Sequence, residues 1–179
     1  MHAEDVLRNA RLLLSASEVE TALERMAGQI AKDLSDRRPV VLAVMNGGAF
    51  TAVNLCRHFR FSYEFDFVHA TRYGESNEGG SLEWRVRPQA ALSGRTILLV
   101  DDVLDKGETL AALHDELSQI GVIDVFTAVL VTKRLTNRPV RPHVDYTAIE
   151  TDDVYLFGCG MDYAGYWRGL PELYTSDHE

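Results

Sequence analysis

The sequence predicts an α/β fold with a mainly parallel, twisted sheet flanked by helices. Short apolar runs that do not alternate with polar residues recur along the chain and are typical of strands buried on both faces. Segments with a helical period separate these runs, and such an alternation implies strands that lie parallel. At 179 residues the chain suits one domain, so we predict a single domain over residues 1–179.

The first predicted elements are a helix and a strand–helix–strand unit. Apolar residues spaced by three and four from Val19 to Leu34 predict the helix. Ser15 or Ser17 would cap it, and Ser17 with Glu20 fits a capping box. The run VVLAVMNGG from Val40 predicts a buried strand that ends in glycines. A helix, AFTAVNLCRHF, and an alternating strand, FSYEFDFVHA, follow it.

The second half of the chain continues this alternation. Residues 72–82 are polar and carry glycines, which predicts a mobile loop ahead of a short strand, LEWRVR. TILLVDDV predicts a buried strand, ETLAALHDELSQIG a helix, and VFTAVLVTK a further parallel strand. The tail from Tyr146 is aromatic and irregular, with short strands at most. We therefore expect a core at about 15–140 and a small hood subdomain at about 141–179, laid over one end of the sheet.

Composition and charge argue against several classes of protein. The net charge of −9 disfavours a general nucleic-acid or anionic membrane surface, since either needs a basic face. We therefore expect neither nucleic acid nor a membrane as a partner. No apolar run approaches the roughly 18 residues of a membrane span, and the N-terminus does not resemble a signal peptide, so we expect a cytoplasmic protein. Cys56 and Cys159 lack CxxC spacing and are predicted to be reduced and buried.

The stretch VDDVLDKGET carries the candidate chemistry. Asp101 and Asp102 end an apolar strand, and the segment from Asp105 to Thr109 leads into a helix. In open α/β sheets ligands bind beyond the carboxyl ends of the strands, where the N–H groups of a helix N-terminus can hold a phosphate. Two adjacent carboxylates would repel that phosphate, so they need sugar hydroxyls or a divalent cation as partners. A phosphorylated ribose with magnesium satisfies both requirements.

Two other interpretations of this stretch stay open on the residues alone. Aspartates are common in turns between a strand and a helix, so Asp101 and Asp102 could serve as caps only. Receiver domains of response regulators also follow an apolar strand with paired acids. In those domains the pair lies close to the start of the domain, whereas about a hundred residues precede it here.

VDDVLDKGET resembles the phosphoribosyl pyrophosphate motif of the type I phosphoribosyltransferases: aliphatic residues, two acids, two aliphatic residues, then Asp-Thr-Gly-x-Thr. VMNGGAF, VTKR and YLFGCGMDYAGYWRGL stand in the order found in the branch that acts on hypoxanthine and guanine, and the resemblance covers roughly residues 15–174. It implies the type I phosphoribosyltransferase fold and the transfer of 5-phosphoribosyl from phosphoribosyl pyrophosphate to a 6-oxopurine. It also implies Mg²⁺ as a cofactor and a homodimer or homotetramer.

The resemblance further implies a role for each matching residue. Asp105 would be the general base at the purine N7. Asp101 and Asp102 would hold the ribose hydroxyls and, with Asp162, the magnesium ion. The family typically has a cis peptide bond not preceding proline in its pyrophosphate loop, here between Met45 and Asn46. The 5-phosphate would be bound by Asp105, Lys106, Gly107, Glu108 and Thr109; pyrophosphate by Met45, Asn46, Gly47 and Arg168; the purine by Lys133, Tyr155, Leu156 and Asp162; and Arg72 with Tyr73 would belong to the lid loop.

The chain departs from the family pattern at a few positions. Lys106 stands where the motif most often has threonine, and Glu108 places an acid in the phosphate loop. Lys106 could supply a charge-assisted contact, whereas a Glu108 carboxylate that pointed inward would weaken phosphate binding. Arg72 replaces the serine of the family's Ser-Tyr pair, and Asp101 replaces the commoner glutamate.

Two alternative functions accompany the salvage enzyme. One is a non-catalytic, nucleotide-sensing regulator on the same fold. The presence of Asp105 and Lys133 and the acidic net charge favour the enzyme over such a regulator. The other is a preference for xanthine, which differs at the purine 2-position and would be distinguished by backbone around Leu156 to Asp162.

Overall fold

The computed structural model describes residues 3–72 and 82–176. Tyr73 and the rest of the predicted loop up to residue 81 lie outside this description. The helices and strands follow one another as α1 (Ala3–Asn9), β1 (Arg11–Leu14), α2 (Ala16–Leu34), β2 (Val40–Val44), α3 (Gly47–Cys56), β3 (Glu64–Arg72), β4 (Leu82–Val86), β5 (Thr96–Leu104), α4 (Glu108–Ile120), β6 (Asp124–Lys133), β7 (Tyr146–Thr151), β8 (Tyr155–Phe157) and β9 (Leu173–Ser176).

The strands form a large sheet and a small one. In the large sheet the order is β4-β3-β2-β5-β6-β7, and every neighbouring pair is parallel except β3 with β4. The small sheet has the order β1-β9-β8 and is antiparallel. Helices flank the large sheet, so the predicted α/β class with a mainly parallel sheet is confirmed.

The central strands are buried on both faces, which explains their unbroken apolar sequence. In β2, Val41 and Ala43 belong to a core cluster shared with α2 and α3, whereas Val40, Leu42 and Val44 pack with α4 on the opposite face. Burying both faces leaves no room for polar residues at alternate positions. The residues of β5 divide between the two faces in the same way. Its parallel pairing with β2 places the carboxyl ends of the two strands side by side.

The capping box of α2 was assigned to the wrong pair. Ser15, not Ser17, is the N-cap residue: its hydroxyl accepts a hydrogen bond from the Glu18 N–H at 3.4 Å. The Glu18 carboxylate accepts one in return from the Ser15 N–H at 2.8 Å. Ser-x-x-Glu fits both registers, and the structure selects the one that begins two residues earlier.

The tail beyond residue 141 is more regular than the sequence suggested. Residues Tyr146–Thr151 form β7, an edge strand of the large sheet, where an irregular tail with short strands at most was expected. Its Tyr146 and Ala148 are buried in the cluster that includes α2, and Ile149 packs against the same cluster while partly exposed. The small sheet also takes β1 from the N-terminal segment. The division at about residue 140 into a core and a hood stays a prediction.

Among the helices in residues 3–72 and 82–176, none is both long and apolar enough to cross a membrane.

Candidate active site

The candidate site lies where the carboxyl ends of β2, β5 and β6 meet. Parallel pairing places these ends at one edge of the large sheet, with β8 and the residues after it beside them. A cavity of about 420 Å³ opens there, lined by Asp102, Val103, Asp105, Lys106, Lys133, Asp153, Tyr155, Leu156, Met161 and Asp162. A second concavity of about 240 Å³ is lined by Asp101 and by Val103 to Leu110.

Asp101 and Asp102 carry an electrostatic conflict. Burial raises the pKa of the Asp101 carboxyl well above its usual range, and the neighbouring Asp102 adds to the rise. Burial also raises the pKa of Asp102, against the opposing effects of hydrogen bonds and of the Arg168 charge. The Asp102 N–H donates to the Asp101 carboxylate at 2.9 Å. Two carboxylates held this close favour a partner that brings positive charge or hydroxyl donors.

The predicted pyrophosphate loop connects β2 to α3. The peptide bond between Met45 and Asn46 is cis, as the family resemblance led us to expect. A Cβ at Gly47 would overlap the Asp102 carboxylate, and at Gly48 it would lie 2.6 Å from the Val100 oxygen. The two glycines therefore allow α3 to begin directly against the end of β5.

Arg168 joins this loop to the segment after β8. Its guanidinium lies 2.6 Å from the Asp162 carboxylate and donates to the Gly160 carbonyl at 2.7 Å. Gly160 in turn packs against the backbone of Gly47, with no space for a side chain between them. Arg168 lines a separate cavity beside α2 and α3 and is not among the residues that line the one containing Asp105.

The predicted phosphate loop ends at the N-terminus of α4. Gly107 is the N-cap residue and adopts φ +83°, a conformation that favours glycine. A Cβ there would lie 2.5 Å from the Val140 oxygen and 2.6 Å from Pro142 Cδ. The absence of a side chain at Gly107 therefore lets Val140 and Pro142 pack directly against this loop. Lys106 is exposed, and Glu108 and Thr109 lie in the first turn of α4.

Lys133 points its ammonium into the cavity between two carboxylates. The Lys133 side chain is 13% exposed, and Nζ lies 3.6 Å from Asp105 Oδ2 and 3.5 Å from Asp153 Oδ1. The structure thus brings together the predicted general base and the predicted purine-binding lysine. Asp153 was missed by the sequence analysis because it belongs to no motif, and only the fold places it near Lys133.

The predicted purine-binding residues of the tail also reach the cavity. Tyr155 is 36% exposed and lines the cavity, which excludes a purely core role. Its hydroxyl donates to the Asp162 carbonyl at 3.1 Å, and its ring meets that of Tyr163 edge-on at 5.4 Å. Leu156 is buried, and its backbone pairs with Thr175 of β9. Arg72 is the last residue of β3.

Arg138 is a further residue that the sequence analysis missed. Its guanidinium donates to the carbonyl of Leu104 at 3.0 Å and also to the carbonyls of Asp105 and Lys133. A single arginine inside a connecting segment gives no sequence signal for such contacts.

The carboxylates at this edge of the sheet are possible metal ligands. Within residues 3–72 and 82–176, no group of three or more His, Cys, Asp or Glu residues could hold a metal ion by itself. Magnesium usually takes one or two protein carboxylates and completes its octahedron with water and substrate phosphates. Asp101 and Asp102 are adjacent and border the two concavities, so they fit that partial role.

Comparisons with known proteins agree with this geometry. The family described as phosphoribosyl transferase domain matches residues 12–164. A hypoxanthine-guanine phosphoribosyltransferase of Aquifex aeolicus is 29% identical over 169 residues, which cover 93% of this chain and 94% of the relative. A hypoxanthine-guanine-xanthine phosphoribosyltransferase of Tritrichomonas foetus is 24% identical over 91% of this chain and 89% of the relative. The crystal structure of a hypoxanthine-guanine phosphoribosyltransferase from Bacillus anthracis superposes with a TM-score of 0.83 at 26% identity and covers 92% of this chain and 96% of that one.

Proposed function

Since the chain belongs to the phosphoribosyl transferase domain family, we propose that it is a purine salvage enzyme, a hypoxanthine-guanine phosphoribosyltransferase. It transfers 5-phosphoribosyl from phosphoribosyl pyrophosphate to hypoxanthine or guanine and releases IMP or GMP with pyrophosphate. The observation that carries the proposal is the cavity in which Lys133 and Asp105 lie 3.6 Å apart beside the Asp101–Thr109 segment. It offers a space of about 420 Å³ for the purine, next to a place for a ribose 5-phosphate.

Asp105 is the proposed general base. In the transfer, the bond from the ribose carbon to the pyrophosphate oxygen breaks and a bond to a purine nitrogen forms. The proton on the purine N7 then has to leave, and the Asp105 carboxylate at the cavity wall accepts it or hydrogen-bonds to it. The N–H groups at the start of α4, with Thr109, bind the 5-phosphate.

Lys133 and the tail residues select the base. The Lys133 ammonium donates to the 6-oxo group, and it cannot pair in this way with the 6-amino group of adenine. Tyr155 stacks on the purine, and the backbone at Leu156 and Asp162 contacts its edge. Because the 2-position faces that backbone, and because the Tritrichomonas relative is also named for xanthine, xanthine is the second substrate to consider.

Magnesium is the proposed cofactor. Asp101, Asp102 and Asp162 would hold it directly or through water, and when bound it neutralises charge on the pyrophosphate. Arg168 suits pyrophosphate oxygens because its planar fork bonds them in pairs. Met45, Asn46 and Gly47 supply the backbone around that group, and Asp101 and Asp102 also accept hydrogen bonds from the ribose hydroxyls.

Other parts of the proposal concern the molecule as a whole. The segment that begins at Arg72 and Tyr73 would close over the reacting centre and keep water from the ribosyl carbon. We also propose a homodimer or homotetramer that acts in the cytoplasm.

Nucleotide formation from each base tests the proposed function. The purified chain would be incubated with magnesium and phosphoribosyl pyrophosphate, and with hypoxanthine, guanine, xanthine or adenine in separate reactions. We expect product from hypoxanthine and guanine, no product from adenine, and loss of product when a chelator removes magnesium. Donor binding without turnover of any base would favour the nucleotide-sensing regulator instead.

A further inference from the structure

We infer that Arg138 is a positioning residue that holds Asp105 and Lys133 in a fixed arrangement across the cavity. The inference rests on the proposed function, because it concerns the base and the purine-binding lysine of that reaction. Arg138 itself is absent from the described residues that line the cavity, so it would act through the backbone of the residues that do.

The contacts of Arg138 join the ends of two neighbouring strands. Its Nη1 donates to the carbonyl groups of Leu104 and Asp105 at the end of β5, and its Nη2 donates to the carbonyl group of Lys133 at the end of β6. The pairing of β5 with β6 extends as far as Leu104 opposite Thr132. The guanidinium therefore continues the connection between the two strands at the point where their ladder stops.

Arginine is suited to this task by its shape. A guanidinium carries five N–H donors in a rigid plane, so it can bond carbonyl groups on two sides at fixed angles. The side chain is partly buried among these acceptors. A lysine has one compact ammonium on a flexible stem and cannot donate to carbonyl groups on two sides in this fixed geometry.

The segment that carries Arg138 is itself anchored to the phosphate loop. The Val140 N–H donates to the Lys106 carbonyl at 3.4 Å, and the Val140 oxygen fills the space beside Gly107. Arg138 thus lies on a segment that is fixed against the residues that follow Asp105. Its loss would free the backbone at both Asp105 and Lys133, whose side chains meet in the cavity.

Kinetics of matched arginine variants test this role. Arg138→Ala removes the guanidinium, and Arg138→Lys keeps the positive charge without the planar set of N–H donors. Arg141→Ala removes an exposed arginine from the same segment and serves as the control. Since a displacement of about 1 Å can cost ~100-fold in rate, we expect kcat to fall up to about 100-fold in both Arg138 variants. The preference for hypoxanthine over adenine should fall as well. Added guanidinium ion, well below concentrations that unfold the protein, should restore part of the activity of Arg138→Ala alone.

The same variants give a readout that does not depend on activity. Hydrogen–deuterium exchange should be faster in peptides covering residues 104–111 and 133–140 of Arg138→Ala, and unchanged in Arg141→Ala. If the wild type makes nucleotide and Arg138→Ala matches its kcat and base preference, the inference is wrong and the proposed function stands. If the wild type turns over no base, the proposed function fails. In that case, hydrogen–deuterium exchange in Arg138→Ala that equals exchange in the wild type would separately overturn the inference. Should Arg138→Ala not fold, Arg138→Lys provides both comparisons.

Discussion

Gly47 lies so close to Asp102 that a methyl group on its Cα would overlap the carboxylate. The same methyl would come 3.0 Å from the Gly160 oxygen. One glycine thus lets the loop after β2 meet both the acid pair of β5 and the segment after β8. The residues proposed to bind pyrophosphate and magnesium come together only because of this close packing at Gly47.

Gly47→Ala should therefore lower both stability and activity. Forcing a methyl into a packed site costs about 1–3 kcal/mol, and here the neighbours that must move are the Asp102 carboxylate and backbone. We expect a lower unfolding temperature and a raised KM for phosphoribosyl pyrophosphate, measured by calorimetry and by initial rates.

Gly28→Ala is the matched control: Gly28 lies in α2 with nothing within 4 Å of an added Cβ. It should gain about 0.5–1 kcal/mol from helix propensity. A Gly47→Ala enzyme with wild-type KM and stability would contradict this packing.

Asp105→Asn should fold normally and turn over slowly. An amide cannot accept the proton from the purine. Since a positioned general base contributes about 10²–10⁴-fold to the rate, kcat should fall by a factor in that range. Asp153→Asn is the comparison, because it also removes a carboxylate within 3.6 Å of Lys133 without removing the proposed base. Single-turnover kinetics with hypoxanthine would separate the two. Equal losses in both variants would show that the charge beside Lys133 matters and that Asp105 is not the base.

The parts of the fold that the sequence predicted are those whose evidence is local. The runs in β2 and β5 are buried on both faces, so their composition alone identifies them as strands. β7 was missed because it is short and its burial is irregular, with Thr147 and Glu150 interrupting its apolar residues. β1 was missed because it is four residues long and pairs with β9, some 160 residues later in the chain.

The site divides in the same way. Asp101, Asp102 and Asp105 were found because they are contiguous within a motif. Asp153 and Arg138 come near Lys133 only in the folded chain. Neither residue belongs to a motif that the sequence reveals. Sequence patterns report neighbours along the chain, whereas these contacts depend on the pairing of β5, β6 and β7.

Lys133→Met should weaken the choice between 6-oxo and 6-amino purines. The variant keeps an unbranched side chain in the cavity and removes its charged donor. A hydrogen bond from a charged group contributes about 1.5–3 kcal/mol, so the preference for hypoxanthine over adenine should fall by about tenfold to a hundredfold. Lys32→Met, at an exposed position of α2, should leave the preference unchanged. Competition between the two bases in one reaction would measure the ratio directly, and an unaltered ratio in Lys133→Met would remove the assigned role.

The two cysteines should react slowly in the folded protein although both are free thiols. Burial raises the pKa of Cys56 to about 11 and that of Cys159 to about 12. The thiolate is the reactive form, and less than about 1% of either thiol would be ionised at pH 8, so labelling should be slow. The sign follows from linkage: the protonated thiols favour the folded state below the ordinary thiol pKa, and this contribution is lost as pH rises towards the raised values.

A thiol reagent tests this directly. Ellman's reagent at pH 8 should react slowly with the native protein, faster as pH rises, and with both thiols on unfolding in denaturant. Cys56→Ser and Cys159→Ser would assign each phase. Because neither thiol has a proposed part in the transfer, nucleotide formation should survive incubation with iodoacetamide at pH 8. Rapid labelling of the native enzyme, or loss of turnover on labelling, would show a thiol that the fold leaves accessible to chemistry.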